Sequence, residues 1–157
     1  METLSDLAAT LGPRNCLTES DDIAPYAVDW RGTWHGTPRA VLRPGSTEEV
    51  SRILAIANET RTAIIPQSGN TGLCGGQTPT DEGHEVLVSL DRMTRIIDVD
   101  PLDNTITVEA GAILKSVQEA AAAVDRVPPA GTVVRRAAVS WGPQVARSGT
   151  RRARPGR

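Results

Sequence analysis

Four glycines fall within eight residues in the stretch Pro66-Gln67-Ser68-Gly69-Asn70-Thr71-Gly72-Leu73-Cys74-Gly75-Gly76. The stretch follows a short apolar run, Ala63-Ile64-Ile65, that reads as a buried strand. Glycine admits positive φ and lets a ligand approach the main chain with no Cβ in the way. Successive N–H groups can then converge into a concave site for an anion. Ser68, Asn70 and Thr71 add hydrogen-bonding side chains without adding charge. Such a loop suits a phosphate or diphosphate held by backbone, and Asn70 is expected to bond a phosphate oxygen through its amide. Gly72 is expected at positive φ. The plain alternative is a long glycine-rich surface turn that binds nothing.

Two familiar phosphate loops are disfavoured. A P-loop ends in Gly-Lys-Ser/Thr, and the only lysine in the chain is Lys115. The dinucleotide fingerprint needs G-x-G-x-x-G opening a helix. Here the order is G-x-x-G-x-x-G-G, and Gln77-Thr78-Pro79-Thr80-Asp81 reads as further loop.

The flanking sequence predicts a mixed α+β fold. Leu4, Leu7, Ala8 and Leu11 have helical spacing. Residues 12–38 read as irregular, with Trp30 and Trp34 as packing candidates. Residues 39–43 form a short strand. Ser46 and Glu49 make a capping box, and the helix after it places Val50, Ile53, Leu54 and Ala57 on one face. With the strand at 63–65 this makes a βαβ unit, expected to cross right-handed. The glycine loop leaves the carboxyl end of its second strand, the edge that ligands favour in open α/β sheets. Residues 85–90 and 95–99 read as strands of the second half. A turn at Asp100-Pro101-Leu102-Asp103-Asn104 and the alternating run Thr105 to Glu109 complete a hairpin. Residues 112–124 form a helix with Leu114, Val117, Ala121 and Val124 on one stripe.

Five pieces, in order, carry a resemblance to a known family. They are Val28-Asp29-Trp30-Arg31-Gly32, the run from Ala40 to Val50, the loop Pro66 to Gly76, Ser89-Leu90-Asp91-Arg92-Met93, and Thr107-Val108-Glu109-Ala110-Gly111. Together they resemble the FAD-linked oxidoreductases of the vanillyl-alcohol-oxidase (PCMH-type) superfamily, in the D-2-hydroxyglutarate and D-lactate dehydrogenase branch. The resemblance implies an incomplete PCMH-type FAD-binding domain, with a βαβ subdomain and the start of a second mixed sheet. It implies that Pro66, Gln67, Ser68, Gly69, Asn70, Thr71, Gly72, Leu73, Gly75 and Gly76 wrap the FAD diphosphate. Gly111 would approach the flavin closely, a tight turn being its alternative role. Residues 66–76 hold no histidine, so non-covalent FAD is implied. The implied substrate of the full-length relative is a small 2-hydroxy acid. The family's substrate and base residues lie in regions with no counterpart here, so no catalytic residue is assigned. Asp29, Arg31 and Arg43 read as ion-pairing residues, and His35 and His84 as solvent-facing. A non-enzymatic phosphate- or nucleotide-binding module and a non-functional fragment are the rival readings.

Composition bounds the rest. Phenylalanine is absent from the 157 residues, so the core is aliphatic. No run of 18 apolar residues predicts a membrane span, and the amino terminus lacks the pattern of a signal peptide. Cys16 and Cys74 read as reduced thiols of a cytoplasmic protein. No metal site is expected. All 19 acidic residues lie at or before Asp125, whereas eight of the 17 basic residues follow it. Such asymmetry can mark a nucleic-acid arm. The tail, however, is rich in Arg, Ala, Gly, Pro and Val, with no folded platform for bases. It reads as out-of-frame translation beginning near residue 127, and no nucleic-acid partner is expected. The expected organisation is a lead-in over 1–38, a partial FAD-binding domain over 39–125, and a basic, disordered tail over 126–157.

Overall fold

The structure, a computed structural model, describes residues 6, 8, 9, 11–126 and 144–145. Its elements include β1 (Cys16–Leu17), α1 (Ser20–Ile23), β2 (Ala40–Leu42), α2 (Thr47–Thr60), β3 (Ile64–Gln67) and β4 (Val86–Ser89). They continue with β5 (Ile96–Asp100), β6 (Thr105–Val108), α3 (Leu114–Ala122) and β7 (Gln144–Val145). The α+β class holds.

The first sheet has the order β1-β2-β4-β3, with β2, β4 and β3 mutually parallel and β1 antiparallel to β2. The strand–helix–strand unit β2-α2-β3 is therefore present, but its strands are not neighbours. Strand β4, expected in the second half, lies between them. The reason is visible in its residues. Every position of Val86–Ser89 is buried, and a strand apolar on both faces needs cover on both faces. Val86 and Val88 face Leu42, Ile53 and Met93 on one side, while Leu87 packs with Val41 and Ile23 on the other.

Helix α2 starts as expected. Ser46 Oγ accepts from Glu49 N at 3.2 Å. The Glu49 carboxylate reaches one residue further back than a capping box requires, accepting from Gly45 N at 2.6 Å. Ile53 and Ala57 are buried, with Val50 and Ile56 packed on the core. Leu54 is a correction: it is exposed. It lines a shallow cleft of about 400 Å³ at the amino end of β3, together with Asn58, Arg61 and Ile64.

The second sheet has the order β5-β6-β7. The predicted hairpin closes through Asp100 Oδ1, which accepts from Leu102 N at 2.8 Å and Asp103 N at 3.1 Å. Ile106, Val108, Ala112 and Val117 form its core beneath α3. Arg126 donates to the Pro101 carbonyl through Nε (3.0 Å) and Nη2 (2.6 Å), tying the end of α3 to the hairpin turn. Gln144–Val145 pairs with β6, where the sequence showed no strand period. The remaining tail positions, 127–143 and 146–157, lie outside the described residues.

Candidate cofactor site

The parallel strands β2, β3 and β4 end on one edge of the first sheet. The glycine-rich loop leaves β3 there. Pro66 and Gln67 belong to the strand itself, so the loop proper begins at Ser68. Proline is tolerated because β3 is an edge strand.

The side chains of this loop serve carbonyl groups. Gln67 is 3% exposed, and its Nε2 donates to the carbonyls of Tyr26 (2.9 Å) and Gln77 (3.0 Å). Ser68 Oγ donates to Ala110 O at 3.2 Å. Asn70 Nδ2 donates to Val28 O at 2.7 Å. Gln77 Nε2 closes the turn by donating to Gly72 O at 3.1 Å. The amide groups are left over. Among the described residues, no backbone N–H from Ser68 to Gly76 donates to a protein acceptor. Gly69, Gly72, Leu73, Cys74 and Gly76 are exposed, so these amides are open to water or to the acceptor atoms of a ligand.

This arrangement fits a diphosphate. The donors are neutral dipoles arrayed along one short loop, as an anion-binding concavity requires. A Cβ at Gly76 would meet open space, so a ligand can reach the main chain there. Thr78 Oγ1 and Asn70 Oδ1 are buried and lack partners among the described residues. The Thr78 hydroxyl thus keeps an unused proton on the returning limb. Gly69, Thr71 and Leu73, which the family resemblance expects around the diphosphate, lie on the same loop, Leu73 being 60% exposed.

Three expectations need correction. Positive φ falls at Gly75 and Asn70, not at Gly72. Gly72 lacks a side chain for a different reason: a Cβ there would meet the Gln77 carboxamide. The Asn70 amide is already committed to Val28. Gly111 does sit beside the loop, through the Ser68–Ala110 bond, but its missing Cβ is filled by the carbonyls of Leu90 and Met93. Its own N–H donates to Met93 O at 2.8 Å. A close backbone approach therefore accounts for the glycine.

Sequence reasoning missed the segment that covers the loop. Asp29 is buried. Its Oδ1 accepts from Thr33 N (2.7 Å) and Trp34 N (2.8 Å), folding residues 28–35 into a tight turn. Those N–H donors, Trp34's first, hold its carboxyl below the usual carboxylate range. Asp29 is thus a backbone organiser, not an ion-pairing residue. Arg31 lies 4.9 Å over the Trp30 ring. Trp30 and Trp34, expected to pack, are both about half exposed.

Charged groups on the same edge are tied to one another. Arg43 pairs with Asp91 at 2.9 Å, as expected for an ion pair. Tyr26 donates to Asp91 at 3.2 Å, and Arg92 Nη1 donates to Arg43 O at 2.6 Å. His35 and His84 are exposed. No group of metal-ligating residues occurs among the described residues, and no described helix is long and apolar enough to cross a membrane.

Several known proteins are similar to this chain. A probable mitochondrial D-2-hydroxyglutarate dehydrogenase of Oryza sativa subsp. indica is 37% identical over 116 residues, covering 74% of this chain and 20% of that protein. A D-2-hydroxyglutarate dehydrogenase of Xanthomonas citri pv. viticola is 38% identical over 104 residues, covering 66% and 22%. The chain thus spans about a fifth of the length of these relatives. Among solved structures, a 4-ethylphenol oxidase from Gulosibacter chungangensis in complex with isoeugenol superposes with a TM-score of 0.68 at 28% identity, over 79% of this chain and 24% of that one. A family model described as FAD binding domain matches residues 38–140, a span that reaches past residue 125 into the basic tail. Because that match covers more than half of the chain, the chain belongs to the FAD binding domain family.

Proposed function

We infer that the Ser68–Gly76 loop holds the diphosphate of non-covalently bound FAD. We infer further that the chain serves an FAD-dependent oxidoreductase acting on a small 2-hydroxy acid of the D-lactate or D-2-hydroxyglutarate type. One observation carries the first statement: the unbroken run of unused amides from Ser68 to Gly76. The relatives' names support the second.

Bound FAD would supply the capacity to take a hydride from the carbon that bears the substrate hydroxyl. The chain's own residues bind and orient. The loop amides hold the diphosphate oxygens with no charged side chain, so the anion is met by preorganised dipoles. Gln67 and Gln77 fix the two ends of the loop, and Asn70 ties its middle to Val28. The proposed compartment is the cytoplasm, which the two free thiols, Cys16 and Cys74, support.

Purification of the chain with added FAD tests the binding. The expected product is a yellow protein with flavin absorbance that persists through gel filtration. Gly72→Val should lose the colour with little change in melting temperature, because the new side chain displaces the Gln77 carboxamide. A folded, colourless wild-type chain that binds pyrophosphate or AMP would instead support a non-redox nucleotide module.

A further inference from the structure

The geometry points to Trp34 as a platform on which a planar ring of the bound nucleotide stacks, next to the diphosphate loop. This rests on the reading of that loop as a diphosphate cradle, and adds a residue that selects for an aromatic ligand.

Trp34 is held in place before any ligand arrives. Its N–H donates to Asp29 Oδ1 at 2.8 Å, and its carbonyl accepts from Asp29 N at 2.9 Å. The next residue, His35, bridges back to Val28, whose carbonyl is bonded by Asn70 of the loop. One buried carboxylate and one β-bridge thus fix the backbone of Trp34 relative to the loop.

The ring is seated on the loop by one face. A Cβ built on Gly75 would lie 2.8 Å from Trp34 Cδ2, 3.0 Å from Cγ and 3.1 Å from Cε2. Near-equal distances to three ring atoms mean an approach to the face of the indole, not to its edge. Gly75 also has φ of 76°, so glycine serves there twice. With one face set on Gly75, the residue as a whole is still 50% exposed, surface that a planar ligand can cover.

Trp30 makes the contrast. It is as exposed as Trp34, but the Arg31 guanidinium already lies over its ring. No cationic side chain lies over the Trp34 ring among the described residues. Leu73 and Val28, at the flanks of the same loop, are also exposed. Large apolar surface left in water beside a row of polar donors is the mark of a site for an amphipathic ligand. A dinucleotide has that character, with a charged diphosphate between two planar rings. Stacking on an indole tolerates any flat π-system, so adenine and isoalloxazine are both eligible partners.

Titration calorimetry of the full chain with FAD, ADP and riboflavin 5′-phosphate separates them, since ADP carries only the adenine and riboflavin 5′-phosphate only the isoalloxazine. Trp34→Leu should weaken FAD binding by about 5- to 150-fold, the range seen when a stacking aromatic is removed. It should weaken whichever of the two smaller ligands carries the stacked ring, and leave the other unchanged. Trp34→Phe, which keeps a π-face, should retain most of the affinity. Affinities within twofold of wild type for all three ligands in Trp34→Leu would overturn the inference. So would an equal loss in Trp34→Phe and Trp34→Leu, because Trp34 would then act only by packing on Gly75. A wild-type chain that binds none of the three overturns the diphosphate reading itself, an outcome distinct from the other two.

Discussion

Gln67→Leu isolates the residue that sets the loop's shape. The side chain is 3% exposed, and its Nε2 joins the carbonyl of Tyr26 in the lead-in to that of Gln77 at the loop's exit. Leucine has a similar volume, so the change leaves little cavity and removes mainly the donor. Each neutral hydrogen bond contributes about 1 kcal/mol net, and a buried carbonyl left unsatisfied costs about 1–3 kcal/mol. Both carbonyls belong to half-buried residues, so water replaces the lost donor only in part. With two carbonyls stranded, the expected loss is about 2–4 kcal/mol, a large share of the roughly 5–15 kcal/mol that holds a domain folded. Urea unfolding followed by circular dichroism reads this directly. With a slope of about 2 kcal/mol/M, the midpoint should fall by about 1–2 M at unchanged slope. Amide exchange in residues 68–77 should rise as well, since the loop loses the clamp at both ends. A midpoint within about 0.25 M of wild type, under roughly 0.5 kcal/mol on the same slope, would mean that Gln67 does not clamp the loop.

Three further outcomes are expected. Gly111→Ala should fail to fold or melt far below wild type in calorimetry, because its Cβ would meet the Leu90 carbonyl, which is backbone and cannot swing aside. Asn70→Gly and Asn70→Ala both lose the bond to Val28, but Asn70 has φ of 51°. The alanine variant should therefore be less stable than the glycine variant by about 1 kcal/mol in the same urea assay. Glu109 is buried and accepts from Arg95 N and Nε, both at 2.8 Å, and pairs with its Nη2 at 2.6 Å. The Arg95 guanidinium holds its carboxyl below the ordinary 4.5. A lowered folded value means stability that is present above pH 4.5 and lost as pH falls through the folded value. Melting temperature against pH should show that acid limb, and Glu109→Gln should flatten it.

Much of the fold can be read from local chemistry. Ser46 and Glu49 mark the start of α2 because the cap is a local hydrogen bond. Asp100 marks the hairpin turn for the same reason, and Asn104 marks it by taking φ of 55°. The place of β4 could not be read that way. Its apolar run shows that it is buried on both faces, not which strands flank it. Leu54 has the spacing of a core residue, yet α2 meets the core through Val50, Ile53, Ile56 and Ala57. The glycine loop was legible as a candidate anion site, since its composition is local. The role of each residue in it was not. Asn70 and Gln77 act on carbonyls brought close by the fold, and no spacing announces that Val28 lies against Asn70. Asp29 was misread as an ion-pairing residue because its partners are the amides of Thr33 and Trp34, which any residue could supply.

Main-chain amides of the Ser68–Gly76 loop are proposed to grip the diphosphate. Two-dimensional amide NMR of the uniformly ¹⁵N-labelled chain during titration with FAD tests it most directly. The amides of Ser68 to Gly76 should shift together with one affinity and become protected from exchange. Shifts absent there and centred instead on the cleft lined by Leu54, Asn58 and Ile64 would contradict it.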